Sequence, residues 1–310
     1  MIAKAPGKVV VSGAYAVLEG APAIVAAVDR YAFADGGRPA AFVTEEVAAA
    51  IRAGDLVSAP AFDAAELRAP TPGGGSRKLG LGSSAAILVA SLGALEAEAR
   101  RALSEEELRA AVLPGALIAH RTAQGGGSGV DVATSVHGGT IVAVKKDSAL
   151  STRPTVLPDG LYCEVLFAGA PASTAELVAK VRAFKARAPH EYRGVLENLT
   201  LAAEDAERAF DEGSPEGIVR ALRDQLRGLS ELGELARVRI VTREVARLAE
   251  HANDEDAVVL PAGAGGGDIA IYAGIRPPSE RLLAAFDAER HVRLGLSLGA
   301  RGLHVLGEGA

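Results

Sequence analysis

The chain has 310 residues, 49% of them hydrophobic and 23% charged, with a formal net charge of −6. That is enough apolar material for one large or two ordinary domains with a sizeable core, and the negative balance argues against a nonspecific nucleic-acid binder. A single cysteine, Cys163, excludes an intramolecular disulfide, and six scattered histidines give no zinc-ligand spacing.

The opening Met-Ile-Ala-Lys-Ala-Pro-Gly-Lys has no apolar run of signal-peptide length, and the most apolar later stretch, 85–95, is too short to span a bilayer. A cytoplasmic protein without membrane or nucleic-acid partners is expected. Residues 8–11 and 22–28 are short Val-, Ile- and Ala-rich runs between turn residues and read as strands. Between Gly36 and Ser76, prolines at 39, 60, 70 and 72 and glycines at 73–75 predict loops and small edge strands.

Helical spacing of Ile87, Leu88, Ser91, Leu92 and Leu95 predicts a long helix from Ser83. A second starts at Ser104, whose hydroxyl precedes a glutamate by three residues in a capping box, and Pro114 is expected to kink or divide it. Residues 139–145 return as a strand. A further strand is predicted over 161–168, and Ser173-Thr-Ala-Glu176 is another capping box opening a helix. Helices then run to about 252, one starting at Ser214-Pro215 with a cap and an N1 proline. Three strands and one helix follow over 257–260, 268–274, 279–290 and 292–306, which makes the second half an α+β domain.

Three glycine-rich stretches carry the chemistry. Leu79-Gly-Leu-Gly-Ser-Ser-Ala-Ala86 runs straight into a helix. Gly80 and Gly82 let another group approach the backbone, Ser83 and Ser84 can cap the helix and offer hydroxyls, and the first-turn amides form an anion site. The Walker A spacing is absent, because the nearest lysine, Lys78, precedes the glycines. Gly125-Gly-Gly-Ser-Gly-Val-Asp131 ends in a carboxylate; Ser128 and Asp131 also have capping-box spacing, so the acid has a structural reading beside a catalytic one. Pro261-Ala-Gly-Ala-Gly-Gly-Gly-Asp268 lies between two strands and has more glycines than a hairpin turn needs.

These stretches in this order, with Ala5-Pro6-Gly7-Lys8 before them, resemble the GHMP small-molecule kinase superfamily. Lys78–Ala86 is similar to its ATP phosphate loop, and Gly263-Ala-Gly-Gly-Gly-Asp-Ile-Ala270 to its third motif. The resemblance implies an α+β GHMP kinase fold. It has an N-terminal domain like ribosomal protein S5 domain 2 (1–150) that binds ATP, and a ferredoxin-like C-terminal GHMP kinase domain (151–310).

Within the superfamily, Ala123-Gln-Gly125 with Gly127-Ser-Gly-Val-Asp-Val-Ala133, Ala172-Ser-Thr-Ala-Glu-Leu-Val178 and Gly263–Asp268 are most like the phosphomevalonate kinases. Many of these carry a lysine where Gly126 stands, and the chain is short for them between 36 and 76. Mevalonate kinases are the alternative. They bear a magnesium-binding glutamate eleven residues before the aspartate, where this chain has His120, a side chain read here as an ordinary helix histidine. A nucleotide-binding regulator without turnover is the other alternative.

The resemblance implies the following roles. Lys8 and Asp131 are catalytic. Lys78, Gly80, Leu81, Gly82, Ser83, Ser84 and Ala85 hold ATP, with Ser84 also on Mg²⁺. Ser128, Gly129, Ser173, Thr174, Gly265 and Gly266 contact a small-molecule acceptor, phosphomevalonate or mevalonate. Arg182, Lys185, Arg187, His190 and Arg193 read either as a basic wall for an anionic acceptor or as a solvated charged face. A monomer or homodimer is expected.

Overall fold

The computed structural model describes residues 1–71, 74–147, 149–169 and 174–307. The chain begins with strands β1 (Ile2–Ser12) and β2 (Pro22–Pro39), helix α1 (Glu45–Ala53), and short strands β3 (Pro60–Asp63), β4 (Arg68–Pro70) and β5 (Ser76–Lys78). Helices α2 (Ser83–Ala99), α3 (Glu105–Gln124) and α4 (Val130–His137) follow, then β6 (Thr140–Lys146), β7 (Ala149–Thr155) and β8 (Tyr162–Phe167). The remainder is α5 (Thr174–Arg187), α6 (Pro189–Asp211), α7 (Pro215–Ala236), α8 (Arg243–Asn253), β9 (Ala257–Pro261), β10 (Ile269–Gly274), α9 (Glu280–Ala288), β11 (Val292–Arg293) and β12 (His304–Val305).

Two compact units result, both discontinuous in sequence: Met1–Val9, Val25–Ile141 and Ser297–Ala310 in the first, Val10–Ile24 and Val142–Leu296 in the second. In the first, strands run in the order β12-β1-β2-β6, with β3 on β2. Helix α2 packs against α1, α3 and α4. It is buried on almost every side, as a helix apolar all round must be, and Leu88 and Val89 are fully enclosed. Burial of each such side chain contributes about 1.5–3 kcal/mol.

Helix α3 opens with the expected box: the Ser104 hydroxyl accepts from Glu107 N (3.2 Å), and Glu107 accepts from Ser104 N (2.8 Å). Pro114 does not divide it. The proline is on the exposed face, where water can satisfy the carbonyl it leaves without a donor. Between 36 and 76 the edge strands are joined by α1, a helix the proline-based reading missed; Thr44 caps it, accepting from Val47 N at 3.3 Å.

In the second unit β8, β9, β10 and β11 form an antiparallel sheet in the order β11-β8-β10-β9. Numbered from β8, that order is 4-1-3-2, and α5–α8 and α9 fill the two crossovers, the βαββαβ connectivity of ferredoxin-like domains. Leu166, Leu248, Tyr272, Leu282 and Phe286 form its core. Ser214 caps α7 ahead of Pro215 as expected, accepting from Gly217 N at 3.1 Å. The strand expected over 292–306 is reduced to β11 and β12. Between them only single bridges form, Leu298 to Val28 and Arg301 to Gly138, because glycines at 295, 299 and 302 break the extended run.

Gln225 of α7 has a structural role in this unit. Its side chain is 1% exposed, and Oε1 accepts from both Ser12 Oγ (2.9 Å) and Gly13 N (2.7 Å). Gln225→Leu strands both donors in the interior and is expected to cost about 2–4 kcal/mol, read as a lowered urea midpoint at unchanged slope.

Candidate active site

The candidate site lies in the first unit and starts from β1. Lys8 N donates to Leu81 O at 2.8 Å, which ties the strand to the glycine-serine loop. Gly82, not Ser83, is the residue before α2. It takes φ +74°, and no side chain caps the helix there. A Cβ at Gly82 would lie 3.0 Å from Lys8 Cε and 3.2 Å from Cγ, so the lysine stem runs across the loop backbone. The cap expected from the serines is therefore absent, which leaves first-turn amides of α2 for an anion. Ser83 is buried and Ser84 half-buried. The exposed Lys78, at the end of β5, reaches Ser84 Oγ with Nζ at 3.5 Å.

The same strand holds the acid. Ser135 Oγ of α4 donates to Pro6 O at 2.7 Å, which fixes α4 two residues from Lys8. The capping-box reading of Ser128 and Asp131 does not hold. Gly129 at φ +81° is the N-cap, and Asp131 Oδ1 instead accepts from Val132 N at 3.2 Å. Asp131 Oδ2 lies 3.4 Å from His120 Nε2, and the acid's side chain is 24% exposed. Burial pushes the carboxyl's pKa up, but the charges of His120 and Lys8 and the amides of Asp131 and Val132 outweigh it. The result is a pKa below the ordinary 3.8.

His120 is thus no ordinary helix histidine. Leu108, Val112, Ala116 and Ala119 form the buried stripe of α3, and His120 continues it, so its ring points inward at α4. That stripe was readable in the sequence, but its meeting with α4 was not. His120 also borders a small pocket with Leu117, Arg121 and Gly126–Gly129, which places the half-buried Ser128 and Gly129 beside the pair.

Lys8 therefore touches the loop and acts on Asp131, so cation, amides and acid share one locality. Residues 48–139, which hold the loop, His120 and Asp131, match the family model for the GHMP kinases N terminal domain. The chain carries a GHMP kinase N-terminal domain. Its fold is the α+β fold of GHMP kinases. It is 30% identical over 217 residues to the phosphomevalonate kinase of Streptomyces sp. (strain CL190), covering 63% of this chain and 57% of that protein. The chain thus spans little more than half the length of that relative. With the mevalonate kinase of Archaeoglobus fulgidus it shares 29% identity over 231 residues, 70% of this chain and 74% of that one.

Among solved structures, a Lin0012 protein from Listeria innocua superposes with a TM-score of 0.83 at 25% identity, over 99% of both chains. Streptococcus pneumoniae phosphomevalonate kinase in complex with phosphomevalonate and AMPPNP shares the fold, with a TM-score of 0.74 at 19% identity over 96% of this chain and 99% of that one.

In the second unit, Ser173 lies outside the described residues, and Thr174 is the exposed first residue of α5. Gly265 has a packing reason to be glycine, since a Cβ there would come within 2.2 Å of Ile240 O. Gly266 N donates to Ile240 O at 3.0 Å, so that amide is already engaged. The hydroxyl of Tyr15, a residue the sequence reading passed over, donates to Ala264 O at 2.7 Å in the same loop. The basic wall is largely dispersed. Lys185 pairs with Glu19 at 2.7 Å, and Arg187 donates to Leu235 O at 3.2 Å, while Arg182, His190 and Arg193 are exposed.

Proposed function

We propose that the chain is an ATP-dependent kinase that transfers the γ-phosphoryl of ATP to (R)-5-phosphomevalonate, giving 5-diphosphomevalonate and ADP. In this reading residues 1–150 form the ATP-binding domain and 151–310 the C-terminal GHMP kinase domain. The observation that carries the choice of acceptor is the setting of Asp131, whose Oδ2 lies 3.4 Å from His120 Nε2 and whose Oδ1 accepts from Val132 N at 3.2 Å, neighbours that with Lys8 hold its carboxyl below the ordinary pKa. An alcohol must lose a proton as it attacks, which favours a base with a raised pKa, whereas a phosphate with a second pKa of about 6 is already mostly ionised at neutral pH. The likeness to a phosphomevalonate kinase at 30% identity supports the same acceptor.

The chemistry rests on positioning and on neutralising spreading charge. Amides of Gly82–Ala85 receive phosphate oxygens of ATP, and Lys78 adds a cation at the mouth of the loop. Lys8, held across Gly82, meets the charge developing on the transferred group. Asp131 keeps Lys8 in place and acts little as a proton acceptor. Ser128, Gly129 and Thr174 are the acceptor contacts of this reading, together with Ser173; Gly265 and Gly266 serve it through the loop they shape.

The site suits a magnesium ion brought in with ATP. Ser84 offers a hydroxyl oxygen, and the described residues contain no group of three or more His, Cys, Asp or Glu that would hold a metal by themselves. When bound, magnesium supplies charge neutralisation on the phosphates. A coupled ADP-release assay with phosphomevalonate, mevalonate, homoserine and galactose tests the proposal. Turnover highest with phosphomevalonate is expected. Turnover of mevalonate alone would reassign the enzyme as a mevalonate kinase, and nucleotide binding without any turnover would make it a regulator.

A further inference from the structure

The geometry points to His120 as a positioning residue that fixes the Oδ2 side of Asp131 through Nε2. This inference rests on the reading that Asp131 faces the reacting phosphoryl group, and nothing in the sequence motifs assigned His120 such a part.

Asp131 stands in the first turn of the eight-residue α4, directly after the glycine-rich stretch 125–129. Helix α3 is different. It has 20 residues, is locked at its start by the Ser104–Glu107 box, and packs on α1, α2 and α4. His120 comes from this firm element, its side chain is only 9% exposed, and its Nε2 stands 3.4 Å from Oδ2. Oδ1 is already engaged by the Val132 amide at 3.2 Å. Each oxygen of the acid thus has its own partner, and the carboxylate plane is set by two points rather than one. A side chain locked in this way by its supporting groups is what a precise reaction geometry needs.

The charged groups acting on Asp131 are His120 from α3 and Lys8 from β1. Arg121 borders the same pocket as His120. On α2, which also packs against α4, the only charged residues are Glu96 and Glu98, near its far end. On α1, which packs against α3, Glu46 is bonded to Gln124 at 2.7 Å. Removing His120 takes from the acid both the positive charge its imidazole carries when protonated and the ring nitrogen 3.4 Å from Oδ2, and the two losses can be separated. Glutamine keeps an N–H near the place of Nε2 without the charge; leucine keeps neither.

The test uses the full chain as wild type, His120→Gln and His120→Leu, each shown to be folded by circular dichroism. The Asp131 carboxyl is titrated by ¹³C NMR without substrates, and kcat/KM is measured against pH with ATP and phosphomevalonate. Both variants are expected to raise the Asp131 midpoint by about one unit, and the acid limb of kcat/KM moves with it. His120→Leu is expected to lose roughly tenfold to a hundredfold in kcat, while His120→Gln recovers most of it. If His120→Leu does not fold, the glutamine variant decides alone through its raised midpoint and near-normal kcat.

An unmoved Asp131 midpoint in a folded variant overturns the inference, and so does a glutamine variant with the rate loss expected of leucine. The NMR titration needs no turnover. A wild type inactive on every acceptor therefore counts against the kinase reading, while the midpoints still decide whether His120 sets the state of Asp131.

Discussion

Asp131→Asn is expected to lower kcat by about a hundredfold or more with ATP and phosphomevalonate, while the protein stays folded with a modestly lowered urea midpoint. Asparagine keeps the size of the side chain and can still accept from the Val132 amide that now bonds Oδ1 at 3.2 Å. What it removes is the negative charge facing His120 at 3.4 Å and balancing Lys8. Lys8 then loses the counter-charge that holds it over the loop. General acid–base roles are worth about 10²–10⁴-fold, and an orienting acid belongs at the lower end of that range. Undiminished turnover would contradict both roles.

The pH dependence follows from the direction of the Asp131 shift. Its folded pKa lies below 3.8, so the stability it contributes is present above that value and is lost as pH falls through the lower folded value. The ionised form required for turnover likewise persists to pH values below the ordinary carboxylate range. An acid limb of kcat/KM at or above the ordinary value, assigned to Asp131 by its absence in Asp131→Asn, would contradict this.

Lys8→Met is expected to lower kcat by about 10²–10³-fold with a smaller change in KM for ATP. The lysine stem lies against Gly82, within 3.0 Å of the position a Cβ would take, and methionine preserves that apolar packing. Only the ammonium is lost. A group whose charge matters most as the phosphoryl moves affects kcat, whereas one that merely holds ground-state ATP would raise KM at constant kcat. Steady-state titration of both substrates separates the two, and a pure KM effect would reassign Lys8 to nucleotide binding.

The sequence revealed most where one residue has one local duty. Ser104, Ser214 and the apolar spacing of α2 marked helices that the structure contains, because caps and helical periodicity act within a few residues. It misled where the outcome depends on distant partners. Ser83 has the chemistry of a cap, yet Gly82 takes the position, its backbone in the left-handed region beneath the Lys8 stem. Ser128 and Asp131 have the spacing of a capping box, yet the acid turns to His120, which becomes its neighbour only when α3 and α4 pack together. Residues 292–306 have strand-like composition but form strands only near their two ends, with single bridges at Leu298 and Arg301 between them. Lys185 looked available for an anion and is taken by Glu19, 166 positions earlier in the chain.

The central claim is that Lys8 and Asp131 work as one unit at the start of α2, and a double-mutant cycle on kcat tests it most directly. With Lys8→Met, Asp131→Asn and the double variant measured under one condition, the double variant is predicted to be about as slow as the worse single variant, because removing either partner already disables the other. Rate losses that simply multiply would mean that the two residues act independently, and would contradict the account.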